Sequence, residues 1–507
     1  MTNNTEKRYV DFMAEISPSE LYDRLVEYGM FAEKLPPVLS GESFLDYCKN
    51  TRQQPFEDCW HGYVTYENMR NINIPRNMGL PTPFGHERLC KCLSDHWTDL
   101  VNHFRTTTAN QSHIVSRIHI RKMFETKALF DMGYKNWRVD GTPEPDIFLG
   151  KRYMVTADIS KCYPSIYSHA IAWALAGKSI AKATAGDERL WYNKIDHYAQ
   201  NTKNGETHGL LIGPHTSCVL SEIILCKIDE ALVPKYRYIR NIDDYTCYVN
   251  TREEAEEFLV DLTRELREYG LLLNRKKTSI QELPIGVVEQ WVHKIQGRTV
   301  QFEKNHPYVD YKEVQAFVDF CITLMSKNAD NSSILYYGLK ALQGHQLTNN
   351  AKRYLITSMV SLAMIYPYFI PLLDEYVFTP YGASPTEILK FANMIYEAYL
   401  PKDNFEACAY ALFFAIKANG RIDSFDVLTV IQKKDCILLL LALVYCRKRQ
   451  YRSGAEELKK FAIKLRDSGE FDEYWLFAYE TLGSGNLRDD WQAMKKANVS
   501  FLLPEYQ

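Results

Sequence analysis

Apolar and polar positions follow two regimes along this chain, with the change near residue 300. In SPSELYDRLVEYGMF (17–31) the apolar residues recur at helical spacing, with Ser17 or Ser19 as the cap. Residues 51–85 are rich in Pro, Gly and Asn and predict irregular structure, and HERLCKCLSDHWTDLVNHF (86–104) returns to helix. SRIHIRKMF (116–124) alternates strictly, so Arg117, His119 and Arg121 share one strand face, solvated or turned toward phosphates. GTPEPDIFLGK (141–151) predicts a turn-rich joint.

YMVTADISKCY (153–163) predicts a strand ending in an acidic residue, followed by helices over 170–181 and 188–201. SCVLSEIILCKIDEAL (217–232) and REEAEEFLVDLTRELREYG (252–270) are amphipathic helices, with a hairpin between them. From about residue 309 the pattern gives helices of 10–18 residues with short breaks, which predicts an irregular α-solenoid. A mixed α/β part over 1–300 is thus expected to precede an all-helical part over 301–507.

Length and composition narrow the class. A chain of 507 residues predicts two or three domains, and 46% hydrophobic with 24% charged residues is ordinary globular composition. Lys and Arg total 60 against 63 Asp and Glu, so bulk charge does not hold nucleic acid; a local patch must. The first residues lack the apolar core of a signal peptide, and CILLLLALVYC (436–446) is too short to cross a bilayer. With 12 scattered cysteines, this sets the expectation of a cytoplasmic protein away from membranes. His86, Cys90, Cys92 and His96 fall on different helix faces with no second ligand pair, so core packing is expected rather than zinc.

Three separated pieces carry candidate chemistry. Asp158 ends a strand, Asp243 and Asp244 stand together in YRYIRNIDDYTCYVN (236–250), and GLLIGPHTS (209–217) is a Gly-rich loop opening a helix. Neighbouring strand residues point to opposite faces, so adjacent aspartates imply either a hairpin bend or a bound cation. Three carboxylates from two strands suit two Mg²⁺ ions about 4 Å apart bridging phosphate oxygens. A helix N-terminus beside them can hold an anion.

In order and spacing these pieces resemble the palm motifs of reverse transcriptases. The likeness continues in REYGLLLNRKKTSI (267–280) with its pair Lys277-Thr278. DISKCYPSIYSHAIAW (158–173), ETHGLLIGPHTSCVLSEIILCKID (206–229) and the helical half together look like the Abi-type abortive-infection polymerases of bacteria. That resemblance implies an α+β palm and fingers followed by an all-α, HEAT-like repeat domain in place of a thumb. It implies template-independent DNA synthesis from dNTPs, primed by a tyrosine of the protein, leaving single-stranded DNA covalently attached. Homo-oligomers and a role in phage defence are implied as well.

By the same resemblance Asp158, Asp243 and Asp244 are the metal-binding carboxylates, with the Ile159 carbonyl completing a shell for two Mg²⁺ ions, or Mn²⁺ in their place. Tyr163 matches the ring that packs under the sugar and rejects a 2′-hydroxyl, and Lys277 a lysine near the triphosphate. Gly213, Arg117 and Arg121 complete the expected dNTP contacts. Leu211-Ile212 replaces the Pro-Gln of templated enzymes, and Asn241 an aromatic residue; both weaken the case for template copying. A priming tyrosine needs a mobile segment, which selects Tyr9 in the polar leader. The basic run CRKRQYR (446–452) is a candidate track for a strand backbone. A templated reverse transcriptase with an RNA partner, a non-catalytic scaffold and a nucleotide cyclase are the other readings.

Overall fold

The computed structural model describes residues 7–31, 34–52, 54–117, 119–123, 130–131, 144–285, 290–305, 308–329 and 331–507. Helix Pro18–Glu27 starts where Ser17 accepts a hydrogen bond from the Glu20 backbone, the cap its sequence predicts. The stretch expected to be irregular instead holds an antiparallel hairpin, β1 (Tyr63–Met69) and β2 (Pro75–Pro81), in the register Tyr63↔Pro81 to Met69↔Pro75. Val64, Tyr66 and Asn68 turn inward, while Thr65 and Glu67 face out. The prolines that suggested a loop stand at the two ends of β2, where a missing N–H disturbs the ladder least.

The 86–104 helix breaks at His96 into Pro83–Asp95 and Trp97–Thr107. His86 and Cys90 are fully buried, and the His86 Nε2 lies 2.9 Å from the Leu25 carbonyl, so this cluster packs as core. Of the alternating stretch 116–124 only His119–Ile120 is strand (β3), paired with β4 (Phe130–Asp131); Ile118 and Phe124 lie outside the described residues. Arg121 is buried with its guanidinium 5.5 Å from the Phe12 ring, which corrects the expectation of an open basic face. In the expected turn-rich joint Glu144–Phe148 is a short helix, and 141–143 lie outside the described residues.

A four-stranded antiparallel sheet follows, built from β5 (Tyr153–Asp158), β6 (Tyr238–Asn241), β7 (Asp244–Val249) and β8 (Ser279–Glu282) in the order β6-β7-β5-β8. Helices His215–Leu232 and Arg252–Glu268 cover it. Beyond residue 308 the chain is almost wholly helical. Pro385–Tyr399 packs on Phe405–Lys417, which packs on Cys436–Lys448. Every residue of 436–446 is buried, as its unbroken apolar run predicts, and each large aliphatic there contributes about 1.5–3 kcal/mol.

The helical part does not stand apart. One buried apolar cluster runs from Tyr9 to Leu502. Glu406 accepts from Asn68 Nδ2 (2.7 Å) and the Met69 backbone (2.6 Å), and Asn71 bonds Asn331 and Ser333, so the hairpin is clasped from that side. Leu39 pairs with Leu502, while Ser40 and Leu503 exchange backbone bonds with Phe501 and Val38. The basic run 446–452 is partly consumed: Arg447 donates to the Glu480 carbonyl and Arg449 to that of Asn419. Among the described residues no helix is long and apolar enough to cross a membrane.

Candidate active site

The sheet brings the three aspartates together. Asp158 at the end of β5 is the cross-strand partner of Asp244 at the start of β7, and the Ile159 N–H donates to the Asp243 carbonyl at 3.1 Å. Asn241 pairs with Asp244 across a two-residue turn, Ile242-Asp243, in which Ile242 has φ +56°. A β-branched residue avoids that conformation, so the turn is strained and its surroundings must hold it. The adjacent aspartates are thus explained by a hairpin bend.

The electrostatics follow from this proximity. Burial, then the negative charge of Asp158, raises the Asp243 carboxyl above its ordinary range. Asp244 is pushed up to about 6 by burial, by Asp243 and by Asp158. Asp158 is 4% exposed and already has partners: Lys277 Nζ at 2.6 Å on Oδ2 and Asn274 Nδ2 at 2.9 Å on Oδ1. Asp158 in turn holds the Lys277 ammonium protonated.

Among the described residues no three His, Cys, Asp or Glu side chains are already gathered as a metal-ligand set. The donor chemistry nevertheless fits a divalent cation. Asp243 and Asp244 stand at the turn and Asp158 on the adjoining strand end; the two at the turn are destabilised by their neighbours' charge, and hard cations take carboxylate oxygens. In the present arrangement the Lys277 ammonium neutralises one of the three.

The other expected residues surround this turn unevenly. Lys161, with φ +47°, bends the chain after β5 and starts the helix Cys162–Ser165 that carries Tyr163. The Tyr163 hydroxyl points to Cys218 Sγ at 3.5 Å, and its carbonyl accepts from the Leu210 N–H, tying it to the Gly-rich loop. Gly213 bends that loop with φ +132°. The first N–H of the helix His215–Leu232 is taken by the Gly29 carbonyl at 2.8 Å, so that donor is not left for an anion.

The loop's far side is closed by the hairpin. Gly79 donates to the Ile212 carbonyl at 2.9 Å, and a Cβ there would lie 2.7 Å from Leu211 Cδ2. Leu211 is buried in this contact, an apolar residue in the loop where templated enzymes carry Pro-Gln. Burial, then the charge of Arg70, lowers the Arg76 guanidinium of β2 from its ordinary range, while Asp243 and Tyr163 act the other way. Neither arginine has an ion-pair partner among the described residues.

The arginines singled out in the sequence have contacts elsewhere among the described residues. Arg121 packs on Phe12, and the Arg117 backbone pairs with the Arg240 carbonyl, whereas Arg76 and Lys277 are the cations that act on Asp243. Tyr9 is also displaced from its expected setting. It lies in helix Tyr9–Ala14, is 3% exposed, and donates to Glu222 Oε1 at 2.9 Å, so it is not on a loose leader. Asn274 was passed over; its Oδ1 accepts from the Lys276 N–H, the Asx turn that an Asn before a basic run offers.

No curated protein matches the chain. The solved structures include apo telomerase from Candida tropicalis truncated from its C-terminal domain, with 15% identity, TM-score 0.29, 49% of this chain and 55% of that one covered. They also include apo telomerase from Candida tropicalis, with 13% identity, TM-score 0.31, 75% of this chain and 68% of that one covered. The chain thus spans about half the length of the first of these. Residues 120–302, which contain all three aspartates, match the family described as reverse transcriptase (RNA-dependent DNA polymerase).

Proposed function

We propose that this chain is a protein-primed, template-independent DNA polymerase of the Abi type, joining dNTPs to one of its own tyrosines in phage defence. Nucleotidyl transfer of reverse-transcriptase type rests on the matched segment. The observation that supports the finer reading is the buried Leu211 packed against Gly79, an apolar residue in the loop where templated enzymes carry Pro-Gln.

Asp158, Asp243 and Asp244 would hold the divalent cations, which supply Lewis-acid stabilisation of phosphate oxygens. Arg76 would bind triphosphate oxygens from the hairpin side, and Tyr163 would pack against the sugar and exclude a 2′-hydroxyl. Lys277, released from Asp158, would give its proton to the departing pyrophosphate. The HEAT-like helical half fixes the hairpin through Glu406 and offers a surface for oligomers and for the single-stranded product. Tyr9 is too enclosed to prime; Tyr308, Tyr311 and Tyr451, at 52%, 41% and 42% exposed, are the candidates.

The test incubates purified protein with Mg²⁺ and labelled dNTPs, without nucleic acid, beside an Asp243→Ala control. Label that runs with the protein, is released by protease and is absent from the control supports the reading, and peptide mapping names the tyrosine. The matched family is described as RNA-dependent, which favours a templated enzyme as the second reading. Label seen only with added template and primer selects that one.

A further inference from the structure

Behind the aspartate turn lies a charged group that the chemistry above does not use. Arg240 is 0% exposed, and so is Asp229; Glu222 is 1% exposed. The guanidinium spends all its donors. Nε and Nη2 reach Asp229 Oδ2 at 2.9 and 2.7 Å, Nη1 and Nη2 reach Glu222 Oε2 and Oε1 at 3.0 and 3.2 Å. Nη2 also reaches Cys226 Sγ at 3.7 Å, and Nη1 donates to the Ile242 carbonyl at 3.0 Å.

That last acceptor belongs to the strained residue of the turn. Glu222, Cys226 and Asp229 stand on one face of the helix that the Gly-rich loop opens. The backbone of Arg240 is held as well, donating to Val115 and accepting from Arg117. Tyr9 and Tyr238 complete the network with hydroxyl bonds to Glu222 and Asp229, each 2.9 Å. A buried ion cluster of this kind is a poor device for stability, since an apolar core of equal volume does as well or better. Its geometric product here is a turn locked at positive φ.

We infer that Arg240 is a positioning residue: with Glu222 and Asp229 it fixes the Ile242 carbonyl, and so aims Asp243 and Asp244 at the divalent cation they hold. This rests on the reading of those aspartates as metal-holding groups. Lysine cannot replace it, having three donors and no planar fork. The N-terminal helix joins the same support through Tyr9, which gives that buried hydroxyl a role other than priming.

The experiment measures Mn²⁺ affinity by EPR and dNTP incorporation in the full chain. The variants are Arg240→Lys and, if that does not fold, Arg240→Met with Glu222→Gln and Asp229→Asn, which leaves no unpaired buried charge. The expected result is Mn²⁺ binding weaker by about 10- to 100-fold, the loss typical of residues that orient metal ligands, with the KM for dNTP unchanged. Adding Ile242→Gly, which adopts positive φ without strain, should recover part of the loss, and a general loosening of the core would not respond that way. Wild-type Mn²⁺ affinity in a folded variant overturns the role of Arg240 alone. No Mn²⁺ binding in the unaltered protein overturns the metal-holding reading, and the inference with it.

Discussion

Lys277 Nζ lies 2.6 Å from Asp158 Oδ2, so one of the three clustered aspartates carries a protein cation. A divalent cation held by Asp158, as proposed, would compete with it. Lys277→Met should therefore bind Mn²⁺ more tightly, by roughly two- to fivefold, as fits a pair whose lysine is over half exposed. Turnover should fall in the same variant, because the proposed proton donor is gone. Titration by EPR beside single-turnover kinetics separates the two effects.

Asp244, held up to about 6, sets a pH dependence. The folded state binds this proton more tightly than the unfolded chain does. Metal-free stability should thus fall as pH rises from the ordinary carboxylate range through about 6. Mg²⁺ needs the ionised form, so its upward shift of Tm should grow above that pH and fade below it. Asp243→Asn removes the neighbouring charge; it should raise the metal-free Tm, abolish the Mg²⁺ shift, and cost at least about 100-fold in turnover. Thermal melts across pH, with and without Mg²⁺, test all three.

Arg76 has no ion-pair partner among the described residues, and the charge of Asp243 acts on it. Arg76→Ala should raise the KM for dNTP by about tenfold or more, the value of a charge-assisted hydrogen bond, with little change in Tm. An unchanged KM would return the triphosphate role to other cations.

Gly79→Ala should crowd the buried Leu211 side chain, since its methyl would lie 2.7 Å from Leu211 Cδ2. Such overpacking costs about 1–3 kcal/mol. Leu211→Ala in the same chain should restore most of that cost. A double-mutant cycle on stability and activity measures the coupling.

Glu406, pushed up to about 7 by burial, holds the hairpin from the helical side. Glu406→Ala would strand the Met69 N–H and the Asn68 amide, at about 1–3 kcal/mol. Hydrogen exchange over Tyr63–Pro81 should quicken while the sheet of Tyr153–Glu282 stays protected.

Much of this arrangement is legible in the chain. The strand ending in Asp158, the bend at Asp243-Asp244 and the buried helix 436–446 follow from alternation, from paired carboxylates and from an unbroken apolar run. The β1–β2 hairpin was hidden because its prolines and asparagines speak for loops, while its inward face depends on helices several hundred residues away. Arg76 and Arg121 look alike in sequence; that the charge of Arg76 acts on Asp243 while Arg121 packs on Phe12 depends on how distant segments dock. Tyr9 misled for a similar reason. A polar leader suggests a free end, yet its partner Glu222 lies 213 positions away.

The pairing of Val38–Ser40 with Phe501–Leu503 also has a consequence for biosynthesis. Ser43 and Ser500 are 457 positions apart, so at 5–20 residues per second the early segment waits roughly 20–90 s for its partner. During that interval Phe31 and Phe44 lack Phe501, the ring that covers them. The nascent chain therefore carries an uncovered aromatic seam through most of its synthesis, a surface suited to chaperone capture until the ribosome delivers the strand that closes it.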